Sequence, residues 1–253
     1  MAHEVLEVLR RAVAAVSGAL AGQLDWGPTG QGHGQYRHDV VADAAATGVL
    51  TEAGFGVFSE ESGVSGAGSD ILVVVDPVDG STNASRGLPW WAVSLCALDG
   101  SGPLAAVVAC PPGGLCFEAV RDGGATCNGS PAEPGGAARL SEAVVAFNGW
   151  PSSHYGWAQY RAFGAASLDL CAVACGMVDG FVDCSRAGLA PWDYMGALLV
   201  CSEAGAIVEE IEGRPLVLRR PGERRSLVAA ANRQLLDQLL AARRGVARPE
   251  HRP

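Results

Sequence analysis

The sequence predicts a mixed α/β protein. In the first half, short apolar segments follow one another with Gly- and Pro-rich turns between them, the pattern of an antiparallel sheet. In the second half, strand-like and helix-like apolar segments alternate, the pattern of an α/β layer. Of the 253 residues, 49% are apolar and no long polar tract interrupts them, so a packed core is expected.

Residues 3 to 22 place Val5, Leu6, Leu9, Val13 and Val16 at helical spacing. A Gly-rich loop, GPTGQGHGQ, follows, and DVVADAAATGVLTEAG reads as a second helix closed by Gly54. GVFSEES is short and strand-like, and GVSGAGSD leads into a strand at 71 to 75. WWAVSLCAL, PLAAVVACPP and GLCFEAV are expected to be successive strands of a meander. The turn-rich RDGGATCNGSPAEPGGAA marks a boundary between two halves, 1–135 and 136–245. EAVVAFNG (strand), GAASLDLCAVACG (helix), GFVDCS (strand), PWDYMGALLVCSEAG (helix) and AIVEEI (strand) come next. NRQLLDQLLAARRG reads as a last helix, and the charged tail 246–253 is expected to be disordered.

Composition narrows the function. The net charge of −9 argues against a nucleic-acid partner, which would need a basic surface. All eighteen basic side chains are arginine, so a Walker-type loop, a Schiff base and a lysine general base are excluded. No apolar run approaches the ~18 residues of a membrane span. The first 23 residues read as an amphipathic helix rather than a signal peptide, so the expected location is cytoplasmic. Eight cysteines without a CxxC pair, mostly inside apolar runs, are expected to be buried free thiols.

The chemistry gathers at acids that end apolar segments. Glu60 and Glu61 follow GVF, Asp76 and Asp79 follow ILVVV, and Asp43 and Asp193 lie at the starts of expected helices. Single acids at helix starts commonly cap free amides. The stretch DPVDGSTN is richer: Pro77 and Gly80 shape a turn, two carboxylates and the Val78 carbonyl offer hard oxygens, and Gly80 to Asn83 open a helix whose amides suit an anion.

DPVDGSTN resembles the first signature of the inositol monophosphatase family, PWDYMGALLVCSEAGA resembles its second, and SEES resembles its Gly-Glu-Glu-Ser. The three stand in the family's order, within a similarity over roughly residues 35 to 210 that includes RAFGAASLDLCAVACGMVDGFVD. The resemblance implies a layered αβαβα sandwich, a homodimer and a lithium-sensitive, Mg²⁺-dependent phosphomonoesterase. Two or three Mg²⁺ are implied, with Mn²⁺ as a substitute. Their ligands would be Glu60, Asp76, Val78 through its carbonyl, Asp79 and Asp193. Glu60 and Ser81 would orient the attacking water, with Asp43 accepting from the Ser81 hydroxyl. Gly80, Ser81 and Thr82 would take the phosphate, and Asp183, Ser167 and Arg186 would meet the rest of the substrate.

The implied substrate is a small polyol or sugar phosphate such as inositol 1-phosphate. Histidinol phosphate, fructose 1,6-bisphosphate, 3′-phosphoadenosine 5′-phosphate and a secondary-metabolite ester are alternatives, as is a non-catalytic sugar-phosphate-binding relative. The chain departs from the family at YRHDVVAD, where a lysine is usual and Arg37 or His38 is the candidate substitute, and at Ala84 and Met195. Arg161 is expected to hold structure, and Trp90 and Trp91 to pack the core or a dimer interface.

Overall fold

A computed structural model describes residues 1–22, 25–30 and 35–245. The middle of the Gly-rich loop and the expected disordered tail lie outside the described residues. In chain order the elements are α1 (Ala2–Ala21), α2 (Arg37–Glu52), β1 (Gly56–Ser59), β2 (Gly63–Ser65), β3 (Leu72–Asp79), α3 (Ser81–Ser85), β4 (Ala92–Asp99), β5 (Gly102–Cys110), β6 (Leu115–Val120), β7 (Gly124–Cys127) and β8 (Ser130–Pro131). A 3₁₀ turn (Leu140–Glu142) leads to β9 (Val144–Gly149), β10 (Gln159–Arg161), α4 (Ala166–Ala174), β11 (Gly180–Cys184), α5 (Met195–Ala204), β12 (Ile207–Glu210), β13 (Leu227–Ala230) and α6 (Arg233–Gly245).

Two sheets result. The first is ordered β2-β1-β3-β4-β5-β6-β7-β8 and the second β10-β9-β11-β13-β12. The expected meander, β4 to β6, extends in the structure from β3 to β8, whereas β1 and β3 run parallel. The turn-rich 121–138 stretch holds β7 and β8, whose short glycine-flanked runs conceal the strand pattern.

Strand alternation sorts the side chains into three apolar layers. Val57, Val73, Val75, Val93 and Leu95 face α1 and α2, meeting Leu9, Val16, Ala46 and Leu50. Phe58, Val74, Cys96, Leu98 and Val108 face the other way, onto α4, α5 and the inner residues Ala146, Phe181 and Ala229 of the second sheet. Val145, Val182 and Val228 point outward beneath Leu235, Leu236 and Leu239 of α6. The layers are helix, sheet, helix, sheet, helix: the αβαβα sandwich. A fully buried Leu or Val contributes about 1.5–3 kcal/mol relative to exposure, so the apolar stripe of α1, six residues long, holds that outer layer in place.

Among the eight thiols, Cys96, Cys110, Cys171 and Cys201 are buried as expected, while Cys116, Cys127, Cys175 and Cys184 are half-buried; all are free. No described helix is long and apolar enough to cross a membrane.

Candidate metal centre

Parallel pairing of β1 with β3 brings two acidic turns to one end of the sheet. Ser59 stands opposite Val75, and the Glu60 N–H donates to the Val75 carbonyl at 3.1 Å, so Glu60 lies beside Asp76. In a regular strand Asp76 and Asp79, three positions apart, would point to opposite faces. The register against β4 shifts between them, with Asp76 opposite Ser94 and Asp79 opposite Ala92. This bulge absorbs one residue and turns both carboxylates toward the middle layer. Pro77, which has no N–H to give the ladder, sits inside it.

Asp193 arrives from the second half. It was expected at the start of a helix, but α5 begins at Met195 and Asp193 occupies the preceding turn. There its Oδ2 accepts the Ala190 N–H at 2.7 Å. Gly196 lets α5 approach the sheet: a Cβ there would come within 2.8 Å of Ser94 Oγ and 3.0 Å of Val108 Cγ2. Met195 is wholly buried beside it.

One ligand oxygen each from Glu60, Asp76 and Asp193 lies within 4.8 Å of the other two, and this group could hold a metal ion. Hard carboxylate oxygens suit a hard divalent cation. The electrostatics agree. Although Glu60 is exposed by surface area, desolvation of its carboxylate and the nearby Asp193, Glu61 and Asp79 push it up to about 8. Burial and then Asp79 raise Asp193 to about 7, and burial followed by Glu60 holds Asp76 well above the usual carboxylate range. A divalent cation bound here would offset this crowding of negative charge.

Asp79 lies beside these three rather than among them. Its Oδ2 accepts from the Ser167 N–H at 2.7 Å and the Ser167 hydroxyl at 2.5 Å. Burial lifts it to about 6, opposed by hydrogen bonds from Ser167 and the Ala166 amide. Ser167, expected at the substrate, is therefore buried beneath Asp79 with its hydroxyl engaged. The Val78 carbonyl accepts the Ser81 hydroxyl at 2.8 Å.

Gly80 opens α3 with φ +90, and a Cβ there would lie 3.1 Å from Ala165 Cβ and 3.2 Å from the Gly164 and Trp90 carbonyl oxygens. Only glycine fits this left-handed, crowded position. Thr82 is exposed, with its hydroxyl 3.5 Å from the Tyr36 hydroxyl.

The acid beside Ser81 is Asp39. The Asp43 carboxylate accepts from the Ser59 hydroxyl. Asp39, one turn earlier on the same buried face of α2, is raised by burial to about 6, with the Ser81 side chain close enough to oppose that rise. Its Oδ2 also accepts the Tyr36 N–H at 2.8 Å, a capping box that starts α2 at Arg37 instead of the expected residue 39. Two acids at i and i+4 were visible in the sequence. The helix start that decides which one faces Ser81 was not.

Neither expected lysine substitute offers a cation to the centre. His38 is wholly buried between the rings of Trp26 and Tyr36, and burial lowers it to about 4. Arg37 pairs with Asp25 at the surface. Asp183 is wholly buried, its Oδ1 accepting from Asn148 Nδ2 at 3.1 Å and the Ser185 N–H at 3.0 Å. Arg186 is exposed and makes no hydrogen bond or ion pair among the described residues. Trp90 stacks on Phe163 and donates to Asp169, Trp91 packs near Trp26, and Arg161 donates to the Tyr160 carbonyl on the edge strand. Ala84 is buried in the outer apolar layer.

Relatives share this architecture. The chain is 35% identical over 173 residues to the Nus factor SuhB of Escherichia coli K12, covering 62% of this chain and 63% of that protein. It thus spans somewhat under two thirds of the length of the SuhB relatives. It is 34% identical over 211 residues to a fructose-1,6-bisphosphatase/inositol-1-monophosphatase of Thermococcus kodakarensis, covering 81% and 80%. The crystal structure of the extragenic suppressor protein suhB from Bartonella henselae superposes with a TM-score of 0.82 at 28% identity, covering 96% of this chain and 100% of that one. The model of the inositol monophosphatase family matches residues 1–248. With the sandwich fold and an acidic centre at the meeting of its two sheets, the chain belongs to the inositol monophosphatase family.

Proposed function

We propose that the protein is a Mg²⁺-dependent phosphomonoesterase for a small polyol or sugar phosphate, with Mn²⁺ as a possible substitute. The observation that carries this reading is the convergence of Glu60, Asp76 and Asp193, from three separate segments, within 4.8 Å. These three, with the Val78 carbonyl and Asp79 beside them, would hold two or three ions. When bound, magnesium supplies Lewis acidity toward a phosphate ester and lowers the pKa of water. The chain's own groups do the rest. The N–H groups of Gly80 and Ser81, with Thr82, accept the phosphate at the start of α3. Glu60 and Ser81 orient the water. The Ser81 hydroxyl, which donates to the Val78 carbonyl here, would turn to Asp39, whose Oδ1 has no hydrogen-bond partner among the described residues, leaving the Ser81 oxygen free to accept from that water.

No covalent phospho-enzyme is required, in keeping with a site built from oxygens alone. Assembly of the three carboxylates favours hydrolysis over a binding-only role. Asp183 and Arg186 lie where β11 leads into the Asp193 loop, the side on which the alcohol portion would sit. Inositol 1-phosphate is the reference substrate, with the other small phosphate esters as its competitors. Lithium is expected to inhibit at millimolar concentration. The expected homodimer is supported by exposed Trp150 and Tyr160 (81% and 54%) beside edge strand β10.

A phosphate-release screen over polyol, sugar and nucleotide phosphates tests the reading. Release should need Mg²⁺, stop with chelator and be lost in Asp76→Asn. Separately, Mg²⁺ should raise the melting temperature of the wild type and leave that of Asp76→Asn unmoved. Metal-independent release, or none from any ester, overturns it.

A further inference from the structure

Anchored to the loop that hydrogen-bonds Asp193 is a guanidinium that the hydrolysis as proposed leaves unused. Residues 188–190 and 224–226 run side by side: Leu189 and Arg225 exchange backbone hydrogen bonds at 2.8 and 2.9 Å. Gly188 presses so close that a Cβ there would lie 3.0 Å from the Arg225 carbonyl oxygen. The same loop presents the Ala190 N–H to Asp193. Arg224 Nη1 donates to the Gly188 carbonyl at 3.0 Å, and its Nε and Nη2 have no partner among the described residues. Arg224 is thus tied to the loop whose Ala190 N–H holds Asp193, and it makes no ion pair among the described residues. Arg186, on the same loop, is likewise exposed and unpaired among the described residues.

Two cations with open donors thus border an acidic centre in a chain of net charge −9. A guanidinium fork anchored at one nitrogen and open at the others is preorganised for a carboxylate or phosphate. We propose that Arg224, with Arg186 farther out, selects phosphate esters that carry a second anionic group, phosphate or carboxylate, on the alcohol being released. This rests on the phosphatase reading above and adds a specificity residue to it.

The test compares kcat/KM for two substrate pairs with Mg²⁺: fructose 1,6-bisphosphate against fructose 1-phosphate, and 2-phosphoglycerate against glycerol 2-phosphate. The wild type should prefer the doubly anionic member of at least one pair by tenfold or more, and the pair that responds identifies the second anion. Arg224→Gln should lower that preference about tenfold, through KM rather than kcat, and Arg224→Lys should retain part of it. Absence of preference in both pairs, or equal loss for both members in Arg224→Gln, overturns the inference while leaving the phosphatase reading intact. Failure of the wild type to release phosphate from any ester in the wider screen instead removes the reading on which it rests.

Discussion

Asp79 and Ser167 join the two halves of the molecule: the Asp79 carboxylate, from the first sheet, accepts both the N–H and the hydroxyl of Ser167 in the first turn of α4. It satisfies amides that a helix start leaves open, so this acid caps a helix far away in sequence.

Ser167→Ala should therefore reduce stability without abolishing phosphate release. A hydrogen bond to a charged group contributes about 1.5–3 kcal/mol, and the Ser167 N–H remains to hold Asp79. Thermal melting should show the loss, and turnover should stay within about tenfold of wild type. Asp79→Asn should abolish turnover. If Ser167→Ala is as inactive as Asp79→Asn, the hydroxyl belongs to the substrate site after all.

Glu60, Asp76 and Asp193 were singled out because the short motifs that carry them resemble those of the family, and the structure brings these three together. Asp76 and Asp79 lie three apart because a bulge separates them, and Asp193 lies three residues before the glycine that lets α5 reach the sheet. What stayed hidden depended on contacts between distant segments. Nothing local says that Ser167 turns inward to Asp79, or that Arg224 meets Gly188 across thirty-six residues. The same holds for fold: long apolar periods identified α1 and β3 to β6, whereas β10 is a three-residue exposed strand and β13 is buried throughout, so neither shows an alternating pattern.

Asp39 and Asp43 give a direct comparison. General acid–base and orienting carboxylates contribute typically 10²–10⁴-fold in rate, so Asp39→Asn should cut kcat by about 100-fold or more. Asp43→Asn, which keeps an oxygen for the Ser59 hydroxyl, should remain within about tenfold of wild type. Steady-state kinetics with Mg²⁺ separates the two. The reverse order would return the role to Asp43.

His38 should give stability a slope in acid. Burial holds it neutral down to about 4, below the ordinary histidine value of 6.5. Above pH 6.5 neither folded nor unfolded chain carries this proton, and its contribution to stability is fully present. As pH falls from 6.5 to 4 the unfolded chain binds the proton first, so stability is lost, by up to roughly 3 kcal/mol. His38→Phe keeps an aromatic ring between Trp26 and Tyr36 and should flatten this part of the curve. Denaturant unfolding of both proteins at pH 7, 5.5 and 4 checks it, and parallel pH profiles would show that His38 is not the titrating group.

Gly196→Ala links packing to the metal centre. The added Cβ has no room between Ser94 Oγ at 2.8 Å and Val108 Cγ2 at 3.0 Å, with the Leu95 carbonyl at 3.4 Å closing the third side. Overpacking a tight core costs about 1–3 kcal/mol, and α5 can relieve it only by moving away from the sheet. That movement carries the preceding turn, and Asp193 with it, away from Glu60 and Asp76. The variant should melt lower and require several-fold more Mg²⁺ for half-maximal phosphate release, while KM for the ester changes less. Adding Val108→Ala opens space beneath the new methyl and should restore the Mg²⁺ requirement more fully than the melting temperature, because it lets α5 settle but leaves a smaller core side chain. A Mg²⁺ requirement unchanged in Gly196→Ala would mean that the Asp193 turn is held by its own hydrogen bonds, independently of where α5 packs.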